Sequence, residues 1–244
     1  MTQLFNFSFS ALRSSLALGV IALGASAPAQ AIVYDFMMYR GASADLAWTG
    51  SHLFVDVTED STTAANDVMF KFTNELPTLT PLPGFGQPTV SYFWFDTGAY
   101  SSLFSSMSVT ATSGVVNLVP RDPTAHPYLP ANFTPDYKFG LSTQYPLSQA
   151  IYGVGPGESA TLTATLGTGA SFSDVIGALS QGTNAATATT GLRIGLLAYW
   201  LEGTGRDDAG YINNNIVAVP EAETWAMMLA GLGLVGFMAR RRTV

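Results

Sequence analysis

Apolar and polar residues alternate through much of the middle of this chain. In Leu53-Phe54-Val55-Asp56-Val57-Thr58, residues Leu53, Val55 and Val57 fall on one face. In Asp67 to Asn74 the apolar set is Val68, Phe70 and Phe72, and Ala160 to Leu166 alternates throughout. Leu192 to Trp200 reads as a long strand with Leu192, Ile194 and Leu196 on one side, and Thr89 to Phe95 is apolar on both faces, as a central strand would be. Ile32 to Tyr39 and Met107 to Ala111 are weaker candidates. A period of two with β-branched and aromatic residues is the strand signature. One segment departs from it. Phe172, Val175, Ile176 and Leu179 have the i, i+3, i+4, i+7 spacing of a helix face. Ser171 with Asp174 supplies its start and Gly182 its end.

Eleven of the thirteen prolines lie between Pro77 and Pro156. They crowd two stretches, Pro77 to Pro88 and Pro120 to Pro156. Proline removes a backbone donor, so neither stretch is expected to hold a central strand. A connection as long as the second usually carries function or disorder. The predicted fold class is all-β, a β-sandwich core of roughly seven to ten strands with one short helix that closes one end.

The chain has 244 residues, room for one sizeable domain once the apolar ends are set aside. Between Ile32 and Pro220 there are six basic and fifteen acidic residues, a net charge of −9. Such a core should repel nucleic acid, whose phosphates demand Lys and Arg. The absence of cysteine excludes disulfides, thiol catalysis and cysteine metal sites.

The two ends carry the most specific signals. Met1 to Ala31 has a polar start with Arg13, an apolar run from Leu16 to Ala25, and then Ala29-Gln30-Ala31. This is the layout of a secretory signal peptide, with Ala29 and Ala31 at the positions a signal peptidase must fit and cleavage before Ile32. At the other end, Val219-Pro220-Glu221-Ala222-Glu223 precedes sixteen uncharged residues, Thr224 to Ala239, and then Arg240-Arg241-Arg242. At about 1.5 Å per residue such a helix spans about 24 Å, and snorkelling arginines can make up the rest of the bilayer. The arginines should stay cytoplasmic, which leaves the core outside.

The segment Val219 to Arg242 resembles the PEP-CTERM sorting signal of Gram-negative bacteria that make exopolysaccharide. That signal joins a Pro-Glu-Pro motif, a glycine-bearing membrane helix and an arginine cluster. Pro220, Glu221 and the arginines match it, whereas Ala222 stands where the second proline would be. The resemblance implies that an exosortase, a membrane protease, recognises and removes the tail. The expected organisation is a signal peptide over 1–31, a β-sandwich domain over 32–218, and a sorting signal over 219–244 with a transmembrane helix at 224–239. A second, looser resemblance covers the core. Val68 to Asn74, an aromatic strand ending in Asp96 with Gly98, Gly153 to Glu158, Phe172 to Leu179, and Gly191-Leu192-Arg193-Ile194-Gly195 together look like a group of PEP-CTERM proteins. Those proteins carry an uncharacterised β-sandwich, and the resemblance implies no activity.

Candidate chemistry in the core is sparse. His52 stands at a strand start and His126 among prolines, without the H-E-x-x-H or G-x-S-x-G patterns of zinc or serine hydrolases. Asp56, Glu59 and Asp60 with Asp67 suggest an acidic turn. Asp207, Asp208, Gly210 and Asn213 to Asn215 suggest a second loop. The first fits no standard calcium loop and reads as a solvated turn between two strands, and the second leaves room for a weak calcium site. Tyr92, Phe93, Trp94, Phe95, Tyr199 and Trp200 could line a sugar-stacking face or fill the core. The expectation is therefore a protein with no catalytic residue, cofactor or metal, having a structural or interaction role in the cell envelope or exopolysaccharide matrix. Its expected partners are signal peptidase, an exosortase, the membrane and exopolysaccharide. A carbohydrate-binding module is the alternative, and a secreted hydrolase a third reading.

Overall fold

The structure, a computed structural model, describes residues 31–40, 52–60, 67–76, 89–121, 128–141, 152–183, 190–201 and 207–217. Its strands are β1 (Ile32–Arg40), β2 (Leu53–Asp60), β3 (Asp67–Asn74), β4 (Thr89–Asp96) and β5 (Phe104–Thr112). They continue with β6 (Leu118–Pro120), β7 (Tyr137–Leu141), β8 (Ser159–Leu166), β9 (Arg193–Leu201) and β10 (Asp207–Val217). One helix, α1 (Phe172–Gly182), lies between β8 and β9. Among the described residues the class is all-β with one helix, as the alternation predicts.

The sandwich expected from the sequence takes a particular form here. Among the described residues there are not two separate sheets. All ten strands join one antiparallel sheet in the order β5-β8-β3-β2-β1-β10-β9-β4-β7-β6. The half that ends in β5 faces the half that ends in β6, so the sheet nearly closes on itself. Aromatic contacts across the interior define this packing. Phe70 of β3 meets Phe95 of β4 edge-on at 5.2 Å between ring centroids, and Phe72 meets Phe93 at 4.8 Å. Such tilted pairs suit the ring quadrupole and add to the burial of apolar area. The alternating residues of β2, β3 and β8 named above are all buried in this core.

Side chains and turns bridge the seam between the two sheet edges. The Tyr137 hydroxyl donates to the carbonyl of Phe104 at 2.9 Å, joining β7 to β5. Glu158 ties the β5–β6 turn to the approach to β8. Its Oε1 accepts from the Val115 N–H at 3.1 Å and its Oε2 from Gly155 N–H at 2.9 Å. Helix α1 carries the chain from β8 to β9, that is, from one half of the sheet to the other. Ser171 and Asp174 form the capping box predicted for its start, and Val175, Ala178 and Leu179 are buried in the main core. It closes one end of the interior.

Two sequence expectations need correction. The stretch from Pro120 to Pro156 contains β7, which pairs with β4 on one side and β6 on the other. The five residues Tyr137 to Leu141 contain no proline, so the ladder is intact there. Asp207 to Asn215 is no loop. It belongs to β10, which sits between β1 and β9 at the middle of the sheet. Its Asn and Gly residues concealed the pattern, and the buried Asn213 side chain takes a backbone role. Asn213 Oδ1 accepts the N–H of Ile194 at 2.7 Å.

Candidate functional site

The aromatic run of β4 divides between two faces because strand side chains alternate. Phe93 and Phe95 enter the main core, while Tyr92 and Trp94 point to the outer face. There the two rings stack, 5.5 Å apart and 8° from parallel. A sugar-binding platform would leave such rings open. Here Tyr128, Leu129 and Phe133 cover them, and Tyr92 and Trp94 are only 5% and 2% exposed. Gly195 and Gly210 permit this cover: a Cβ on Gly195 would stand 2.6 Å from Leu129 Cδ1, and one on Gly210 would strike the Tyr128 backbone. Arg121 lies over the Tyr92 ring at 5.8 Å. Burial, and then the neighbouring Tyr92, push the Tyr199 phenol far above its ordinary range. The cluster is thus a second, smaller core on the outside of the sheet.

The cover is fastened by a buried ion pair. Asp96, last residue of β4, and Arg193, first residue of β9, are register partners, and Arg193 donates to the Asp96 carboxylate. Asp96 also accepts from Gly98 N–H at 2.9 Å and Thr134 N–H at 3.0 Å. The Arg193 guanidinium reaches the backbone carbonyl of Asn132 at 2.6 Å and lies 5.1 Å over the Phe133 ring. Alongside, Asp136 accepts from the N–H and hydroxyl of Thr97 at 2.9 and 2.5 Å. These carboxylates hold backbone and a guanidinium, as a structural joint requires.

The loose core motifs meet as joints of the fold. Gly98 approaches Gly191 closely, where a Cβ would stand 3.0 Å from the Gly191 carbonyl. The Asn74 side chain donates to the Val154 carbonyl at 3.0 Å, and its backbone exchanges bonds with Gly157 and Glu158. Asp96 and Arg193 belong to two of these segments, but nothing in their spacing along the chain signals that they meet. A single aspartate at a strand end carries no such signal.

The remaining candidates form no site. Asp56 pairs across the ladder with Lys71, and Asp60 with Asp67. Burial raises the Asp56 carboxyl, and Lys71 offsets part of that. Among the described residues no group of three or more His, Asp or Glu is arranged to hold a metal. The His52 carbonyl accepts the N–H of Glu75 at 2.8 Å, and His126 lies outside the described residues. A crevice between Leu53, Phe72, Val90, Phe93, Val154 and Leu196 has a cavity volume of only about 10 Å³, room for about one water molecule. Small-molecule sites usually offer about 300–1,000 Å³.

The chain ends leave the sheet together. Val33, near the start of β1, pairs with Val217, the last residue of β10. Ala29, Val219, Pro220, Glu221, Arg240, Arg241, Arg242 and the proposed span Thr224 to Ala239 lie outside the described residues, and Ala31 is exposed just before β1. Among the described residues no helix is long and apolar enough to cross a membrane.

Fold and ends together define an all-β domain with a sorting segment joined directly to its last strand. Residues 218–242 match the family model of the PEP-CTERM protein-sorting motif. The chain carries that motif, the mark of an exosortase substrate. No curated protein and no solved structure matches the chain.

Proposed function

We propose that this protein is an exported, non-enzymatic component of the cell envelope or exopolysaccharide matrix, delivered through its tail and released by an exosortase. The observation that carries this reading is the sorting motif at residues 218–242, which begins immediately after the last strand residue, Val217. In this reading Pro220 and Glu221 lie at the outer membrane interface, Thr224 to Ala239 spans the bilayer, and Arg240 to Arg242 hold the inner side. The core supports it by what its strongest chemistry does: Asp96, Asp136 and Arg193 fasten backbone, and Tyr92 and Trp94 are covered. That cover argues against a sugar-stacking role for these two rings.

The test is replacement of Pro220 and Glu221 by alanine in the native host, followed by immunoblotting of membrane and released fractions. The variant should insert normally, since neither residue belongs to the apolar span. It should then accumulate as a slightly heavier membrane-bound form. Processing and release like the parent would overturn the sorting role.

A further inference from the structure

The position of the chain ends on the domain has a consequence for how the tethered protein stands. We propose that, while the tail is in place, the domain sits on the membrane with its α1 end toward the lipid. This rests on the reading above, in which the tail is inserted. Val217 is held on β10 by its pairing with Val33, and one turn of ladder away the Asn215 N–H donates to Asp35 Oδ1 at 2.8 Å. The same corner carries α1. Ser180 of α1 lies by the Tyr34 phenol of β1, and α1 packs against β10. The Leu192 N–H entering β9 donates to the Ala178 carbonyl at 2.8 Å.

The tether is short. Residues 218–223 separate the last strand residue from the apolar span at Thr224. Fully extended, they reach about 20 Å. A domain of this size has a radius of gyration of about 16 Å and so a diameter of about 40 Å. The linker is therefore too short for the domain to turn over, and the corner to which it is attached must face the bilayer. The opposite end, the β5–β6 turn with its exposed Val115, is separated from α1 by the full length of β8. Eight strand residues cover about 27 Å. Electrostatics do not favour this contact. Asp174 lies exposed in the first turn of α1, which has no basic residue in its last turn, and anionic headgroups repel carboxylates. The linker alone holds the domain down, so cutting it lets the domain leave.

The chain contains no cysteine, so one introduced thiol is unambiguous. Full-length Ser173→Cys, on the exposed side of α1, and Val115→Cys would each be labelled with an environment-sensitive fluorophore. Both would be reconstituted into vesicles of phosphatidylethanolamine and phosphatidylglycerol containing a headgroup-spin-labelled lipid. Unchanged far-ultraviolet circular dichroism would show that each variant is folded. The probe at position 173 should lose most of its emission to the spin label, and the probe at 115 should keep its own. Protein that floats with the vesicles but is quenched equally at both positions, or more at 115, would overturn the orientation and leave the inserted tail standing. Protein that does not float would overturn both.

Discussion

Asp96 and Arg193 close the last rung between β4 and β9, and both are almost fully buried. Removing one partner of a buried pair leaves the other without compensation and typically costs about 3–5 kcal/mol. Arg193→Met should therefore destabilise the domain by several kcal/mol in urea denaturation. Asp96→Leu combined with Arg193→Met should cost less than the two single changes added together, because no lone charge remains. Strict additivity would mean that the pair acts separately.

Gly191 has a φ of +97°, and a Cβ there would strike the backbone of Gly182 at the end of α1. Gly191→Ala meets both backbone strain and overpacking, the latter alone worth about 1–3 kcal/mol. The thermal midpoint should fall clearly. Gly169→Ala, where φ is +81° but no atom lies within 4 Å, should cost less.

Hydrogen bonds from the Ser171 side chain and backbone hold the Asp174 carboxyl below its ordinary range. A lowered folded-state pKa gives stability that is present above the unfolded value and lost as pH falls through the folded one. Asp174→Asn should therefore be less stable than the parent at neutral pH and converge with it in acid. Thermal melts across that range check the convergence, and Ser171→Ala should weaken the same acid dependence.

Burial raises the phenols of Tyr34, Tyr137 and Tyr199. The unfolded chain ionises these groups first, near pH 10. The stability they contribute is complete below that point and is lost as pH climbs toward the folded values. Ultraviolet titration should show a fraction of tyrosine that ionises only together with unfolding. Tyr137→Phe should remove part of that delayed fraction and lose the bond to Phe104 across the seam.

A chain from Ile32 to Pro220 should be soluble and give a β-type circular dichroism spectrum, because the described core is closed by its own residues. An unfolded spectrum would show that the tail contributes to the fold.

Strands with one buried face were legible because period two is visible in residues such as Val68, Phe70 and Phe72. The helix was legible from its spacing and from Ser171 and Asp174. β10 was hidden because it lies between two other strands and uses Gly210 and Asn213 where packing against Tyr128 and the β9 backbone demands small or hydrogen-bonding groups. β7 was hidden by the prolines around it. The outward burial of Tyr92 and Trp94 could not be read either, since the residues that cover them lie some thirty-five positions further on. The tail was the most legible of all, because Pro-Glu, an uncharged apolar run and an arginine cluster stand in that order along a single segment.

The pairing of β1 with β10 joins the first strand to the last. The β1–β10 ladder at Val33 cannot form until the chain has been delivered through Val217, nearly the full length of the domain later. Contacts this distant in sequence are slow to form. A polypeptide that must be threaded across a membrane has to remain open while it passes. Here the topology itself leaves the sheet incomplete until the segment next to the sorting motif is available to pair with β1.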